Sequence, residues 1–107
     1  MEEITTLQEA IDYIAQRFVF DEKNYPLLEK LNANERLQFS LNHNLQHMTK
    51  QLGKIAEHLE DNDHGGVGND EALRKAIVKE FVNVLRSAEL LGMDASTLLK
   101  QVPMVMK

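Results

Sequence analysis

The sequence contains no cysteine, which excludes a disulfide framework, a thiolate metal site and a cysteine nucleophile. It also lacks tryptophan, and it has only two tyrosines and four phenylalanines in 107 residues. The chain has 12 lysines and arginines and 17 aspartates and glutamates, which gives a net charge of −5. An acidic chain with few aromatic residues lacks the basic, base-stacking surface of nucleic-acid-binding proteins, so we predict no nucleic-acid partner.

No stretch of about 18 consecutive apolar residues occurs, so the sequence predicts no membrane-spanning helix and no membrane partner. The first residues are acidic and carry charge through their apolar stretch, which is not typical of a secretory signal. We therefore expect a cytoplasmic protein. Hydrophobic residues make up 43% and charged residues 27%, a composition typical of one globular domain over residues 1–107.

Apolar residues recur at helical spacing along most of the chain, and no alternating strand pattern competes with them. The first helix is predicted to begin near Thr6, because Thr6 and Glu9 have the spacing of a capping box. Pro26 marks either a short helix, with proline in its first turn, or an extended arm. Residues 1–34 are therefore interpreted as an N-terminal helical arm, and residues 35–107 as the core helices.

The longest predicted helix runs from about Glu35 to Glu60, with Asn34 as its N-cap. Its apolar residues recur every three or four positions over roughly 39 Å, a heptad-like stripe. A helix of this length in a small domain is expected to lie along a bundle. The stripe consists of Leu37, Leu41, Leu45, Met48, Leu52, Ile55 and Leu59.

A glycine-bearing loop over residues 61–70 is predicted to lead into a second long helix, capped by Asn69 or Asp70. Antiparallel packing of the two long helices across this loop is the simplest topology. The predicted buried stripe of the second long helix is Leu73, Ile77, Phe81, Val84, Ala88 and Leu91.

Gly92 has the position of a left-handed C-cap at the end of this helix. Asp94 or Ser96 is then expected to cap a short final helix that ends at Pro103. The predicted fold class is therefore all-α: a helical bundle of two long antiparallel helices plus shorter N- and C-terminal helices.

The polar side of the central helix is rich in histidine and lysine. The second long helix carries Glu80, Asn83 and Ser87 beside its apolar stripe, so paired helices would place the two polar flanks across a groove. The histidine–lysine sector comprises His43, His47, Lys50, Gln51, Lys54 and His58.

Three interpretations of this sector remain open. The first is a metal site, because His43 and His47 are four residues apart and Asp63 with His64 offers further ligands. The second is an anion site, in which lysines and partly protonated histidines hold phosphate or carboxylate. The third is a solvated helix face. The anion-binding candidates are His47, Lys50 and Lys54, and the metal candidates are His43, His47, Glu57, Asp63, His64 and Glu80.

Three short segments carry a family resemblance: QLGKIAE at 51–57, KEFVNVL at 79–85 and AELLGMD at 88–94. They are similar to the ELGELAEAI, EELADVL and LAxxLGID patterns of the MazG-like all-α nucleotide pyrophosphohydrolases. The resemblance covers about residues 43–100. It implies a MazG-like bundle that assembles as a dimer or tetramer, with the bundle completed between chains.

The family's chemistry rests on an EExxE motif on one helix and an ExxD motif on the next. These carboxylates hold Mg²⁺, which orients the triphosphate, offsets its charge and helps to activate water. Carried over to this chain, the EExxE positions are Lys50, Gln51 and Lys54, and the ExxD positions are Glu80 and Asn83. Only Glu80 is a carboxylate, so the charge of the site changes sign and Mg²⁺ is not expected there.

The resemblance, with these replacements, predicts a protein that binds a nucleotide or another phosphate-bearing anion without the usual Mg²⁺-dependent hydrolysis. One alternative is an active nucleoside triphosphate pyrophosphohydrolase with histidine and aspartate ligands for another divalent metal. Another is a non-catalytic structural or interaction protein. Apolar residues that one small core does not cover favour a homodimer, among them Phe18, Val19, Phe20 and Phe39.

Overall fold

The computed structural model describes residues 3–66 and 70–107, and within these ranges the chain is helical with no strand. This confirms the all-α class, with two long helices between shorter helices at the two ends. None of the described helices combines the length and apolar character needed to cross a membrane. The elements are α1 (Leu7–Arg17), a 3₁₀ helix (Pro26–Lys30), α2 (Ala33–Asp63), α3 (Asp70–Leu90) and α4 (Ala95–Val105).

Side-chain caps fix the starts of α1 and α2. Thr6 caps α1 as predicted, because its hydroxyl accepts the Glu9 N–H at 3.1 Å. The cap of α2 is Asn32, so the prediction of Asn34 was wrong. Asn32 and Glu35 each accept the other's backbone N–H, at 2.9 and 3.0 Å, and form a full capping box. Asn34 lacks this reciprocal partner because the residue three positions later is Leu37.

The long central helix continues past its predicted end. α2 extends to Asp63 rather than Glu60, and the His64 N–H still donates to the Glu60 carbonyl at 3.1 Å. Gly65, at a φ of +80°, then turns the chain out of the helix. α3 begins at Asp70. The predicted cap Asn69 lies outside the described residues.

The last helix begins where predicted and ends later. Gly92 adopts a φ of +76°, as expected for a left-handed C-cap, and Asp94 accepts the Thr97 N–H at 2.8 Å. Pro103 does not end α4. It lies inside the final turn, and the helix continues to Val105.

α2 and α3 pack against each other in antiparallel orientation, as predicted. Asn44, which is fully buried, donates its amide hydrogens to the Asn83 carbonyl at 2.7 Å and the Ser87 hydroxyl at 2.6 Å. Near the other end of the pair, His58 shares a groove with Ala72. Early α2 therefore lies beside late α3, and late α2 beside early α3.

The predicted buried stripes are only partly buried, and this is the main correction to the fold. Of the α3 stripe, Ala88 is buried, whereas four of its six members are exposed: Ile77, Phe81, Val84 and Leu91. On α2, Leu45, Leu52 and Leu59 are exposed too. The helical period was right, but residues one position earlier make the contact between the long helices, so the stripes are turned partly to one side.

Four small or polar residues lie where the two long helices meet, and a leucine, isoleucine or valine follows each of these four in sequence. Leu45 follows Asn44 and Leu52 follows Gln51 on α2. On α3, Ile77 follows Ala76 and Val84 follows Asn83. One position rotates a side chain by about 100° around a helix. Because α2 and α3 are antiparallel, the residues one position after the contact residues point to the same side of the pair on both helices.

This geometry gives the α2–α3 pair two different sides. The side reached by the following residues, hereafter the apolar face, carries Leu45, Leu52, Leu59, Ile77 and Val84, with Phe81 beside Ile77 and Val84 at its edge. The residues that precede the contact positions point the opposite way, and they include His43, Lys50 and Lys75. The pair therefore separates a mainly apolar surface from a basic one.

α1 closes the small core of the chain against α3. Ile11 and Ile14, both on the predicted face of α1, are buried with Leu85 of α3. The Gln8 side chain accepts the Ala95 N–H at 2.8 Å and so ties α1 to the start of α4. The core of the described chain therefore lies between α1 and α3 rather than along the apolar stripes of the long helices.

Replacement of Asn44 by alanine is expected to lower the free energy of unfolding by about 1–3 kcal/mol, because buried polar partners on α3 lose their hydrogen bonds. Urea denaturation followed by circular dichroism measures this change. Asn42→Ala is the matched control, since Asn42 is exposed on the same helix, and its effect should stay within about 0.5 kcal/mol. Equal effects of the two substitutions would contradict the role given to Asn44.

Candidate anion-binding groove

A groove of about 380 Å³ lies between α2 and α3, towards the ends joined by the 64–69 connection. Three lysines line it, Lys54 from α2 and Lys75 and Lys79 from α3, and all three are exposed. The remaining lining residues are Gln51, Glu57, His58, Ala72 and Ala76. Small alanine side chains on α3 leave the space between the helices open.

Two of the five positions matched to the family motifs line this groove. Gln51 and Lys54 do so, whereas Lys50, Glu80 and Asn83 are not among the lining residues. Asn83 is buried, and its carbonyl accepts from Asn44 of α2. Glu80 accepts from the Asn83 side-chain amide at 3.4 Å. The polar flank predicted on α3 is therefore used partly to join the helices rather than to line a site.

Sequence reasoning missed Lys75 and Lys79, which supply two of the three positive charges. The signal was present, because the two lysines are four residues apart and therefore lie on one side of α3. Ala76 is buried beside them, and its small side chain brings the lysines close to α2.

Gln51 adds a neutral polar group to the wall of the groove. Its side-chain carbonyl oxygen is buried and has no hydrogen-bond partner among the described residues. A buried acceptor without a donor is energetically unfavourable. A ligand that carries an N–H or O–H group beside its phosphate would supply that donor.

His43 and His47, by contrast, form a pair outside the groove. Their Nε2 atoms are 3.2 Å apart, a hydrogen-bond distance at which one ring donates and the other accepts. Burial lowers the pKa of His47 below its ordinary value, and the nearby His43 and Lys50 lower it further. Neutral His47 is therefore favoured, which weakens its role as a cationic partner for an anion.

Aromatic residues from the arm pack around the two histidines. Tyr25 lies with its ring centroid 4.8 Å from that of His43, and Phe18 lies 5.6 Å from His47. Phe39 stacks in parallel with His43 at 6.0 Å. Phe18 and Phe39, expected to be uncovered apolar surface, are thus partly buried in this cluster, as is Phe20.

Arg86 of α3 anchors the segment that carries these rings. It is buried, its Nε donates to the Phe18 carbonyl at 2.6 Å, and its guanidinium lies 5.3 Å from the Phe20 ring centroid. Glu89 accepts from the same guanidinium and balances its charge. Nothing in the sequence pattern predicted this residue, because an arginine in a helix is ordinarily a surface residue.

Of the proposed metal ligands only His43 and His47 meet, whereas the others lie further along the chain or, for Glu80, on α3. Asp63 lies 16 residues beyond His47 on one continuous helix, which is roughly 24 Å at 1.5 Å per residue. His64 lies 3.7 Å from Glu60 instead, and Glu57 lines the groove. Among the described residues, no group of three histidine, aspartate or glutamate side chains is placed to hold a metal ion.

A larger and mainly apolar cavity of about 800 Å³ lies beside α3, against α1 and the segment 18–25 that follows it. No sequence pattern predicts this cavity, since its walls come from segments far apart in the chain. Arg17, at its edge, lies over the Tyr13 ring at 3.7 Å. The walls include Ile4, Tyr13, Ile14, Tyr25, Val78 and Phe81.

Comparisons of the chain with family models, with curated proteins and with solved structures give no match. The MazG-like resemblance therefore stays a prediction that rests on the sequence segments alone.

Replacement of Arg86 by methionine is expected to lower the free energy of unfolding by about 1.5–3 kcal/mol, because its charge-assisted hydrogen bonds to the Phe18 carbonyl and to Glu89 are lost. Urea denaturation measures the change, and tyrosine fluorescence reports release of the segment around Tyr25. Arg74→Met is the control, since Arg74 forms only an exposed pair with Asp70 on the same helix, and it should leave the midpoint nearly unchanged. A fully stable Arg86→Met protein would contradict the anchoring role.

Proposed function

We propose that this protein binds a nucleotide or another phosphate-bearing anion in the groove between α2 and α3. The observation that carries the proposal is the gathering of Lys54, Lys75 and Lys79 around one cleft in a chain of net charge −5. Glu57 is the only carboxylate among the lining residues.

Electrostatics favours an anion in this groove over a metal ion. Three ammonium groups around one cleft repel each other, and an anion between them relieves that repulsion. Lysine is a common phosphate ligand because its three N–H groups turn freely towards the oxygens. A divalent cation at the same place would meet net positive charge. Lys50 on the same side of α2 increases this preference at longer range.

The resemblance to nucleotide pyrophosphohydrolases supports a nucleotide as the ligand, and the same residues argue against hydrolysis. At the motif positions, lysine or amide side chains replace every carboxylate except Glu80. The alternative of a hydrolase with histidine and aspartate ligands is disfavoured, because those residues are spread along α2. Binding without hydrolysis is therefore the function that the groove supports best.

A thermal-shift and calorimetric screen of nucleoside mono-, di- and triphosphates and inorganic phosphate tests this function. We expect binding without added metal that weakens as salt is raised, because screening reduces attraction between charges. Stabilisation of about 2.7 kcal/mol corresponds to a ligand at 100 times its Kd. Release of pyrophosphate with Mg²⁺, Mn²⁺ or Zn²⁺ would instead establish the hydrolase. If no phosphate compound binds, the proposed function is wrong and the alternative of a structural or interaction protein remains.

Charge reversal in the groove is expected to abolish most of this binding. Lys54→Glu and Lys79→Glu should each weaken the affinity about 10- to 100-fold, the loss of one charge-assisted hydrogen bond of about 1.5–3 kcal/mol. Lys100→Glu is the matched control, because it makes the same charge change on exposed α4, away from the groove. Equal weakening by all three substitutions would indicate a general charge effect and contradict the site.

We further propose that the chain forms a homodimer through the apolar face. Its six residues are between 43% and 61% exposed, although all are large and hydrophobic. Between Leu45 and Leu59 the same stripe of α2 carries Thr49 and Ala56 and no charged residue. The Thr49 hydroxyl donates to the Leu45 carbonyl at 2.9 Å, so it needs no water partner. These features favour burial against another apolar surface.

A second copy of the chain is the partner that fits this face in size. Taking roughly 100 Å² for each half-exposed side chain, the six residues supply about 600 Å² per copy and about 1,200 Å² per pair, the lower bound for a stable interface. Two such faces, each of two antiparallel helices, would form a four-helix bundle. The basic groove lies on the opposite side and stays open.

A charge placed on the apolar face is expected to produce a monomer. Leu52→Glu should shift the species observed by sedimentation velocity from dimer to monomer at micromolar concentration, because two carboxylates would be buried without partners. Leu27→Glu, at an equally exposed leucine of the 3₁₀ helix, is the control and should leave the dimer intact. A wild-type protein that is monomeric at about 100 µM would contradict the homodimer, since specific interfaces of this size bind more tightly.

A further inference from the structure

His43 and His47 present their Nε2 atoms to each other on one side of α2. The two atoms are 3.2 Å apart, and the rings are nearly perpendicular, at 74°, with centroids 4.9 Å apart. Tyr25 and Phe39 contact the His43 ring, and Phe18 contacts the His47 ring edge-to-face. Both imidazoles are therefore held by packing in the orientation that brings their nitrogens together.

The separation of the two nitrogens matches that of two ligands on one metal ion. A metal bound at about 2.0–2.1 Å from each nitrogen holds them about 3.3 Å apart in tetrahedral geometry and about 2.9 Å apart as neighbours in a square plane. The observed 3.2 Å lies between these values. A metal ion can thus replace the proton shared by the rings with little movement of either side chain.

We propose that His43 and His47 form a two-histidine chelate for a divalent transition-metal ion of the Cu²⁺, Ni²⁺ and Zn²⁺ class. Imidazole nitrogen suits these ions, whereas Mg²⁺ and Ca²⁺ prefer oxygen ligands. The proposal does not depend on phosphate binding, because neither histidine lines the lysine groove.

The charged groups around His43 and His47 affect how strongly the two histidines bind a metal ion. Lys50, one turn along α2, repels a cation, and Arg86 places a second positive charge behind Phe18 and Phe20. Glu89 offsets part of the Arg86 charge. The remaining metal positions are open to water or small anions.

Titration of Cu²⁺, Ni²⁺ and Zn²⁺ into the full, untagged chain, followed by calorimetry, tests the proposal. We expect one ion per chain and no comparable binding of Mg²⁺. His43→Gln and His47→Gln should each weaken Cu²⁺ binding at least about 10-fold, because a single imidazole is left. His58→Gln is the matched control, an unpaired histidine position on the same helix, and should bind as the wild type does. Equal loss in all three variants, or no loss in the first two, would overturn the chelate.

A measurement on the wild-type protein guards against variants that fail to fold. The ring-nitrogen NMR resonances of His43 and His47 should shift when Zn²⁺ is added, and those of His58 and His64 should not. Shifts confined to His58 or His64, or no shift at any histidine, would overturn the proposal even if the substituted proteins are unstable.

Discussion

The pairing of α2 with α3 through Asn44 is the constraint on which the rest of this structure depends. Asn44 is fully buried, and it reaches both the Asn83 carbonyl and the Ser87 hydroxyl on the facing helix. A buried amide tolerates few alternatives, because a shift of one helix along the other would leave its donors unpaired. This single side chain therefore fixes both the register and the rotation of the two long helices.

That rotation decides what each side of the pair offers. With small and polar residues at the contact, large apolar residues one position later are turned to one side, and basic residues are gathered on the other. The apolar side still exposes hydrophobic surface to water. Burying that surface would contribute about 25 cal/mol per Å². The basic side holds Lys54, Lys75 and Lys79 around an open groove. The proposed dimer and the proposed anion site thus both follow from the same rotation of α2 and α3.

The arm gives the basic side its second feature. Phe18, Phe20 and Tyr25 pack against the histidines of α2, and Arg86 of α3 holds this segment by its backbone. The aromatic packing orients His43 and His47 towards each other and separates them from the lysine groove. Two kinds of polar chemistry, imidazole and ammonium, therefore occupy different parts of the same helix surface.

The sequence by itself determined the helices of this protein, because helix formation depends on local spacing and capping. Thr6, Gly92 and Asp94 act where local rules place them, and Asn32 rather than the predicted Asn34 caps α2 because Glu35 completes its capping box. Only the tertiary structure decided which side of each helix is covered, since the residues that make the α2–α3 contact lie one position before the apolar stripe. It also decided that Lys75 and Lys79 meet Lys54, and that His64 lies far from His47. Such proximities depend on the register of two helices, which a buried asparagine sets and a periodic pattern of leucines does not encode.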